Sequence, residues 1–329
     1  MKKAVLVSIV VSLIAGILLE NQYNIFQNLL NEYKSNKETE ALEWRDEFKI
    51  IDVKSPKDGS IQKAYFYNTT STNPQPLIVS LHTWSNDYTQ YDSINEFTFR
   101  KDYNYIHPNF RGANNTKDAC CSDLVISDID ASIDFALKNA NVDATKIYVI
   151  GMSGGGYATL AMFMKSKHQI KKFSSWVPLV DLVQWYNETE LRRMKYSNEI
   201  LLCTESKNGT LNKRIAKEKS PIYWKTPIKK LNNSSLEIYT GIFDEIIPIT
   251  HSINFYNKLL GDLQVKDSTK FISQAEKNSL LEYGKPLGEF SMISGRKVML
   301  IKETSNIKIT MFQGGHEILE RYAFEELVK

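Results

Sequence analysis

Apolar residues fall along this chain in two rhythms, one of period two or continuous, the other of period three to four. The stretches EFKIIDV (47–53) and KAYFYN (63–68) alternate apolar with polar residues and predict an antiparallel pair of strands with one buried face. PLIVSLH (76–82) is apolar throughout, as in a central strand covered on both sides. YNYIHPNF (103–110) predicts the next strand, which NFRG turns out of the sheet. Leu124, Ile126, Ile129, Ile133, Ala136 and Leu137 then share one helical face, with Ser122 or Asp123 as its cap. KIYVI (146–150), FSSWVPLVDL (173–182), LEIYTG (236–241) and IKITMFQ (307–313) are strand-like. Strands alternating with helices predict an α/β fold, a doubly wound and mostly parallel sheet with helices on both faces.

Two stretches break that alternation. Residues 184–232 are helical, polar and aromatic, and read as a cap insertion. Within 191–230, eleven Lys and Arg face three Glu. A solvated helical face accounts for this charge; the sharper alternative is a cap that positions an anionic substrate. Residues 262–306 form a second insertion, before the last strand, with no role assigned. At the N-terminus Met1-Lys2-Lys3 precedes an uncharged apolar run, 4–19, which Glu20 ends. A basic start followed by about 16 apolar residues is an export signature, and it falls short of the roughly 20 that span a bilayer comfortably. Residues 1–20 are therefore expected to be a signal peptide or an N-terminal membrane anchor, 21–46 a linker or helical stalk, and 47–329 the folded domain. The expected location is periplasmic, envelope-anchored or secreted, with membrane attachment through 4–19 if the segment is retained. The alternative for it is a buried N-terminal helix.

Composition changes this picture little. The 42% hydrophobic and 24% charged content is ordinary for a globular chain. A net charge of +3 is too small to argue for nucleic acid, and no nucleic-acid motif is found. Three cysteines allow one disulfide, Cys203 with Cys120 or Cys121; buried thiols are the equal alternative. Their spacing fits no metal site, and the oligomeric state is not indicated.

The candidate chemistry lies in KIYVIGMSGGGY (146–157), where a strand runs into a serine walled by glycines and then a helix. This is the pattern of a nucleophile elbow, whose strained turn lifts a hydroxyl above a sheet. Phosphate-cradling alternatives do not fit: no G-K-[ST] follows, and G-x-G-x-x-G cannot be laid over 151–156 because position 153 is Ser. No cofactor is expected. A serine needs a base and an orienting acid, which in doubly wound hydrolases follow in the order Ser, acid, His. Asp244 follows the strand-like 236–241, and His316, after Gly314-Gly315, follows 307–313. His82 and His107 precede the elbow, His168 lies on the helix after it, and His251 is too close to Asp244 to fold back independently. Asp181 and Glu245 are the alternatives to Asp244. Two N–H donors must hold the developing oxyanion: one from Gly154, the other from the loop after 76–82, with Trp84 favoured, Thr83 the alternative, and the Trp84 side chain adding bulk beside the acyl site.

LIVSLHTWS, PNFRG, DIDASIDFA, VDATKIYVIGMSGGGYATL, SPIYW, GIFDEIIPITHS and GGHE together resemble the catalytic domain of the prolyl oligopeptidase-like branch of α/β-hydrolases, over roughly 48–260 and 307–329. The resemblance implies an α/β-hydrolase fold and a serine hydrolase with Ser153 as nucleophile, Asp244 as acid and His316 as base. Two departures point away from peptidases: no β-propeller precedes the domain, and the elbow reads G-M-S-G-G. The favoured substrate is a small acyl ester of acetyl type, one candidate being an acylated carbohydrate. A short peptide is the alternative, and a catalytically inactive binding protein is the reading outside enzymology.

Overall fold

Leu77, Ile78 and Val79 expose no surface, as a continuous apolar run sandwiched between two helical layers requires. They belong to β3 (Gln75–Leu81), an inner strand of the sheet. The structure, a computed structural model, describes residues 43–329. The expectations for 1–20 and for nearly all of 21–46 lie outside the described residues. Among those described, Asp46–Lys329 is one unit, and no helix is long and apolar enough to cross a membrane.

The remaining strands are β1 (Lys49–Lys54), β2 (Ile61–Tyr67), β4 (Asn104–Pro108), β5 (Val142–Met152), β6 (Lys172–Trp176), β7 (Ser235–Gly241), β8 (Met292–Ile293), β9 (Arg296–Glu303) and β10 (Ile307–Phe312). Their order is β1-β2-β4-β3-β5-β6-β7-β10-β9-β8. The inner strands β4, β3, β5, β6, β7 and β10 run parallel, and antiparallel pairs close both edges. The α/β expectation holds, including the antiparallel pairing of the first two strands. On one face the helix Asp123–Asn139 packs beside the helix Gly154–Lys165; on the other, Ile94–Arg100 packs beside Glu320–Val328, with Phe97 stacked on Phe324. The Ser122 hydroxyl accepts the Val125 amide and so caps Asp123–Asn139.

Two expectations change. Only Lys172–Trp176 of the strand-like run ending at Leu182 joins the sheet. Val177 then takes a positive φ of 42°, and Pro178 has no N–H for a ladder. Leu179, Val180 and Leu182 stay fully buried beyond the strand, so burial and not pairing explains their hydrophobicity. The second insertion, in turn, carries sheet structure: it supplies β8 and β9 as well as the helix Gln274–Tyr283, opened by a Ser273–Glu276 capping box.

The NFRG turn holds Phe110, Arg111 and Gly112 at φ of 32°, 81° and 65°. The Arg111 guanidinium fixes it, donating to Asp128 (2.5 Å), to Asp58 (2.7 Å) and to the Ser55 hydroxyl (2.9 Å). The Asp128 side chain is 1% exposed, so removing the arginine strands a charge inside the protein. Arg111→Ala is expected to lower stability by about 3–5 kcal/mol in urea titration, and the double variant Arg111→Met/Asp128→Leu by clearly less.

Candidate active site

Parallel strands end on a common edge, and β5, β7 and β10 each deliver one chemically active side chain there. Ser153 follows β5 with φ 58° and ψ −117°, a conformation that costs a non-glycine residue about 1–3 kcal/mol. The surrounding chain holds it in place. Its amide donates to the Trp176 carbonyl of β6 (2.9 Å), and its carbonyl accepts the Tyr157 amide as the helix begins (2.9 Å). The residue after it must be glycine, because a Cβ on Gly154 would lie 2.3 Å from the Trp84 amide nitrogen. Those two peptides are therefore in contact.

The loop after β3 resolves its two candidates. The Thr83 amide donates to Gln90 Oε1 (2.8 Å), which also accepts the Thr83 hydroxyl (3.1 Å). The Trp84 amide has no acceptor among the described residues. Trp84, not Thr83, thus offers a free donor beside Gly154. Its indole, expected to crowd the site, is instead 2% exposed: it packs edge-on against Trp185 (4.7 Å), which stacks on Tyr196 (5.0 Å).

Asp244 follows β7 with a fully buried carboxylate. One of its oxygens accepts the amides of Ile246 and Ile247, each at 2.8 Å, and the other faces His316 Nδ1 at 2.8 Å. A carboxylate so engaged acts as an acceptor, so Nδ1 is the ring nitrogen that donates, and Nε2 is left without a partner among the described residues. The loops after β7 and β10 touch: a Cβ on Gly241 would lie 2.3 Å from the Gly315 carbonyl oxygen, and the Phe243 amide donates to Gly314 (2.9 Å).

The rival residues have other work. Asp181 caps the helix Leu182–Leu191 by accepting the amides of Val183 and Gln184, and accepts the Tyr223 hydroxyl (2.7 Å). Glu245 is exposed, and its carbonyl accepts from Arg192. His251 is fully buried, its Nδ1 accepting the Val180 amide and its Nε2 facing Glu188 (3.1 Å). His82 lies buried against Phe110, with Nδ1 3.0 Å from the Thr83 carbonyl; His107 is buried in β4; His168 sits against the Asp130 carbonyl.

Several supporting residues escaped the sequence reading. The Trp84 indole donates to Glu199 (2.7 Å), on the cap helix Tyr196–Cys203. Arg192 of the cap also donates to the Ile246 carbonyl (3.0 Å) and so holds the Asp244 loop. From the second insertion, Arg296 pairs with Glu317 (2.8 Å), whose other oxygen accepts the Gly315 amide (3.2 Å) next to His316. Glu199 had a signal, since it is one of three acids in a strongly basic segment; the Arg296–Glu317 pair had none. The disulfide joins Cys120 to Cys203, and Cys121 is a buried thiol whose pKa burial pushes far up.

The BD-FAE family model matches residues 65–259. No curated protein sequence matches the chain. Among solved structures, an acylaminoacyl peptidase from Pyrococcus horikoshii aligns with a TM-score of 0.58 at 16% identity, over 85% of this chain and 40% of that one. A puromycin-hydrolyzing peptidase from Mycobacterium tuberculosis aligns at 0.56 and 15% identity, over 85% and 37%. Oligopeptidase B from Leishmania major aligns at 0.57 and 12%, over 85% and 36%. The chain thus spans about two fifths of these peptidases, and at such identities the likeness is one of fold. The family match covers more than half of the sequence: the chain belongs to the BD-FAE family, an α/β-hydrolase family.

Proposed function

We propose that this protein is an exported carboxylesterase acting through an acyl-enzyme, with Ser153 as nucleophile, His316 as base, Asp244 as orienting acid, and Gly154 and Trp84 as oxyanion donors. The Asp244–His316 hydrogen bond carries the reading. It turns the imidazole so that its basic nitrogen is the one left unengaged. Ser153 Oγ attacks the acyl carbon and passes its proton to His316 Nε2. The carbonyl electrons move onto oxygen, where the two amides hold the charge. As the tetrahedral intermediate collapses, the alcohol leaves with the proton from His316. Water, deprotonated by His316, then attacks the acyl-serine; the acid departs and Ser153 recovers its proton.

An ester of acetyl type is favoured over an amide because an alkoxide is the easier group to expel. A carbohydrate is one candidate alcohol. The oligopeptidase reading is kept because the fold neighbours are named as peptidases. The Cys120–Cys203 disulfide supports export, since such bonds persist in oxidising compartments.

The purified protein is expected to bind a fluorophosphonate probe covalently, and Ser153→Ala to abolish both that labelling and turnover, by about 10^4-fold or more. Failure of folded wild type to label would favour an inactive binding protein. Asp244→Asn is expected to lower kcat by about 10^4-fold with KM little changed, because the amide no longer enforces the productive tautomer. Turnover of p-nitrophenyl acetate should exceed that of aminoacyl- and prolyl-anilides; the reverse order would replace the esterase with the peptidase.

A further inference from the structure

Trp84 lies on a loop, beyond the last ladder bond of β3, and a loop amide holds its aim only as well as its neighbours hold it. Two neighbours grip this residue. Its carbonyl accepts from the Asn114 amide (2.8 Å) and from Asn114 Nδ2 (3.3 Å). Its indole N–H donates to Glu199 Oε2 (2.7 Å). The two grips are themselves connected. Asn114 Oδ1 accepts the Cys120 amide (2.8 Å), Cys120 is bonded to Cys203, and Cys203 is the last residue of the helix that carries Glu199. Asn114 is 4% and Trp84 2% exposed, so water does not compete for the bonds between them, while the Glu199 carboxylate is 18% exposed and also faces Lys195 at 3.5 Å.

We infer that Asn114 and Glu199 are positioning residues of the reaction: in a ring closed by the Cys120–Cys203 disulfide, they aim the Trp84 amide at the oxyanion beside Gly154. This rests on the serine-hydrolase reading above. The geometric demand is strict, because Gly154 and Trp84 already touch and a small shift of the loop moves one donor off the oxyanion. A misplacement of about 1 Å can cost about 100-fold in rate. The cap therefore contributes to the chemical step through Glu199 without reaching the reacting atoms.

Wild type, Asn114→Ala, Glu199→Ala and Glu199→Gln would be compared as full chains, with active sites counted by fluorophosphonate titration carried to completion. For p-nitrophenyl acetate, Asn114→Ala and Glu199→Ala are expected to lower kcat per titrated site by about 10–100-fold, with KM within about twofold. Affinity for a trifluoromethyl ketone, which forms the oxyanion covalently, should fall by the same factor as kcat/KM. Glu199→Gln keeps an acceptor for the indole and should retain most of the activity. If the alanine variants keep wild-type kcat per titrated site while melting at lower temperature, the two residues only stabilise the fold and the inference is overturned. Ketone affinity unchanged alongside a fallen kcat would overturn it equally. Should Asn114→Ala not fold, the Glu199 pair makes the same decision. Absence of labelling in wild type would instead sink the serine-hydrolase reading, a separate outcome.

Discussion

A parallel sheet leaves the carboxyl ends of its strands on one edge, and every feature of this site follows from that constraint. β5 is flanked by β3 and β6, while β7 and β10 lie further along in register. Asp244 and His316, 72 positions apart in sequence, therefore meet across the ends of two neighbouring strands. The tightest point is the turn at Ser153. Its positive φ is tolerated because the Trp176 carbonyl holds its amide, and because the glycine that follows lets the Trp84 loop rest against it. Strain of about 1–3 kcal/mol at one residue is small against the packing on either side.

The two insertions look unrelated, yet each braces a different loop of the site. The cap reaches the loop after β3 through Glu199 and the loop after β7 through Arg192. The second insertion pairs β9 with β10, and its Arg296 holds Glu317 beside His316. Loops at a strand end have few backbone partners of their own, so side chains from elsewhere must supply the missing constraints. This gives the 262–306 segment a physical role that its sequence did not suggest.

The sheet, the elbow and the pairing of Asp244 with His316 were legible because each has a local signature: continuous or alternating hydrophobicity, glycines around a serine, and acid and base following successive strands. The run through 173–182 misled because hydrophobicity reports burial, and Leu179, Val180 and Leu182 are buried under the cap rather than in the ladder. β9 was illegible because RKVMLIKE lies in a segment whose flanks carry no alternation. The sequence favoured Trp84 over Thr83, but the physical ground for that choice is visible only in the fold. It depends on Gln90, seven residues on, turning back to occupy the Thr83 amide.

The positive charge of the 191–230 segment reads differently once its partners are known. Lys219 is buried and donates to the carbonyls of Lys117 (2.5 Å), Ala119 (3.2 Å) and Cys203 (2.8 Å), on both sides of the disulfide. Arg192 donates to the carbonyls of Glu188 and Ile246, and Lys230 to that of Ser166 (2.8 Å). Burial lowers the pKa of both Lys219 and Lys230, which is the cost of taking an ammonium out of water to fasten backbone carbonyls. Arg214 pairs with Glu218, and Lys195 with the Ser85 hydroxyl. Most of the eleven cations, Arg214 and Lys195 among them, nevertheless remain exposed, as a solvated helical face requires. Three of the eleven do further work: Arg192, Lys219 and Lys230 fasten the cap to backbone carbonyls of Ile246, of Lys117 and Ala119, and of Ser166, so a minority of the charge tethers the cap while the rest forms its solvated face.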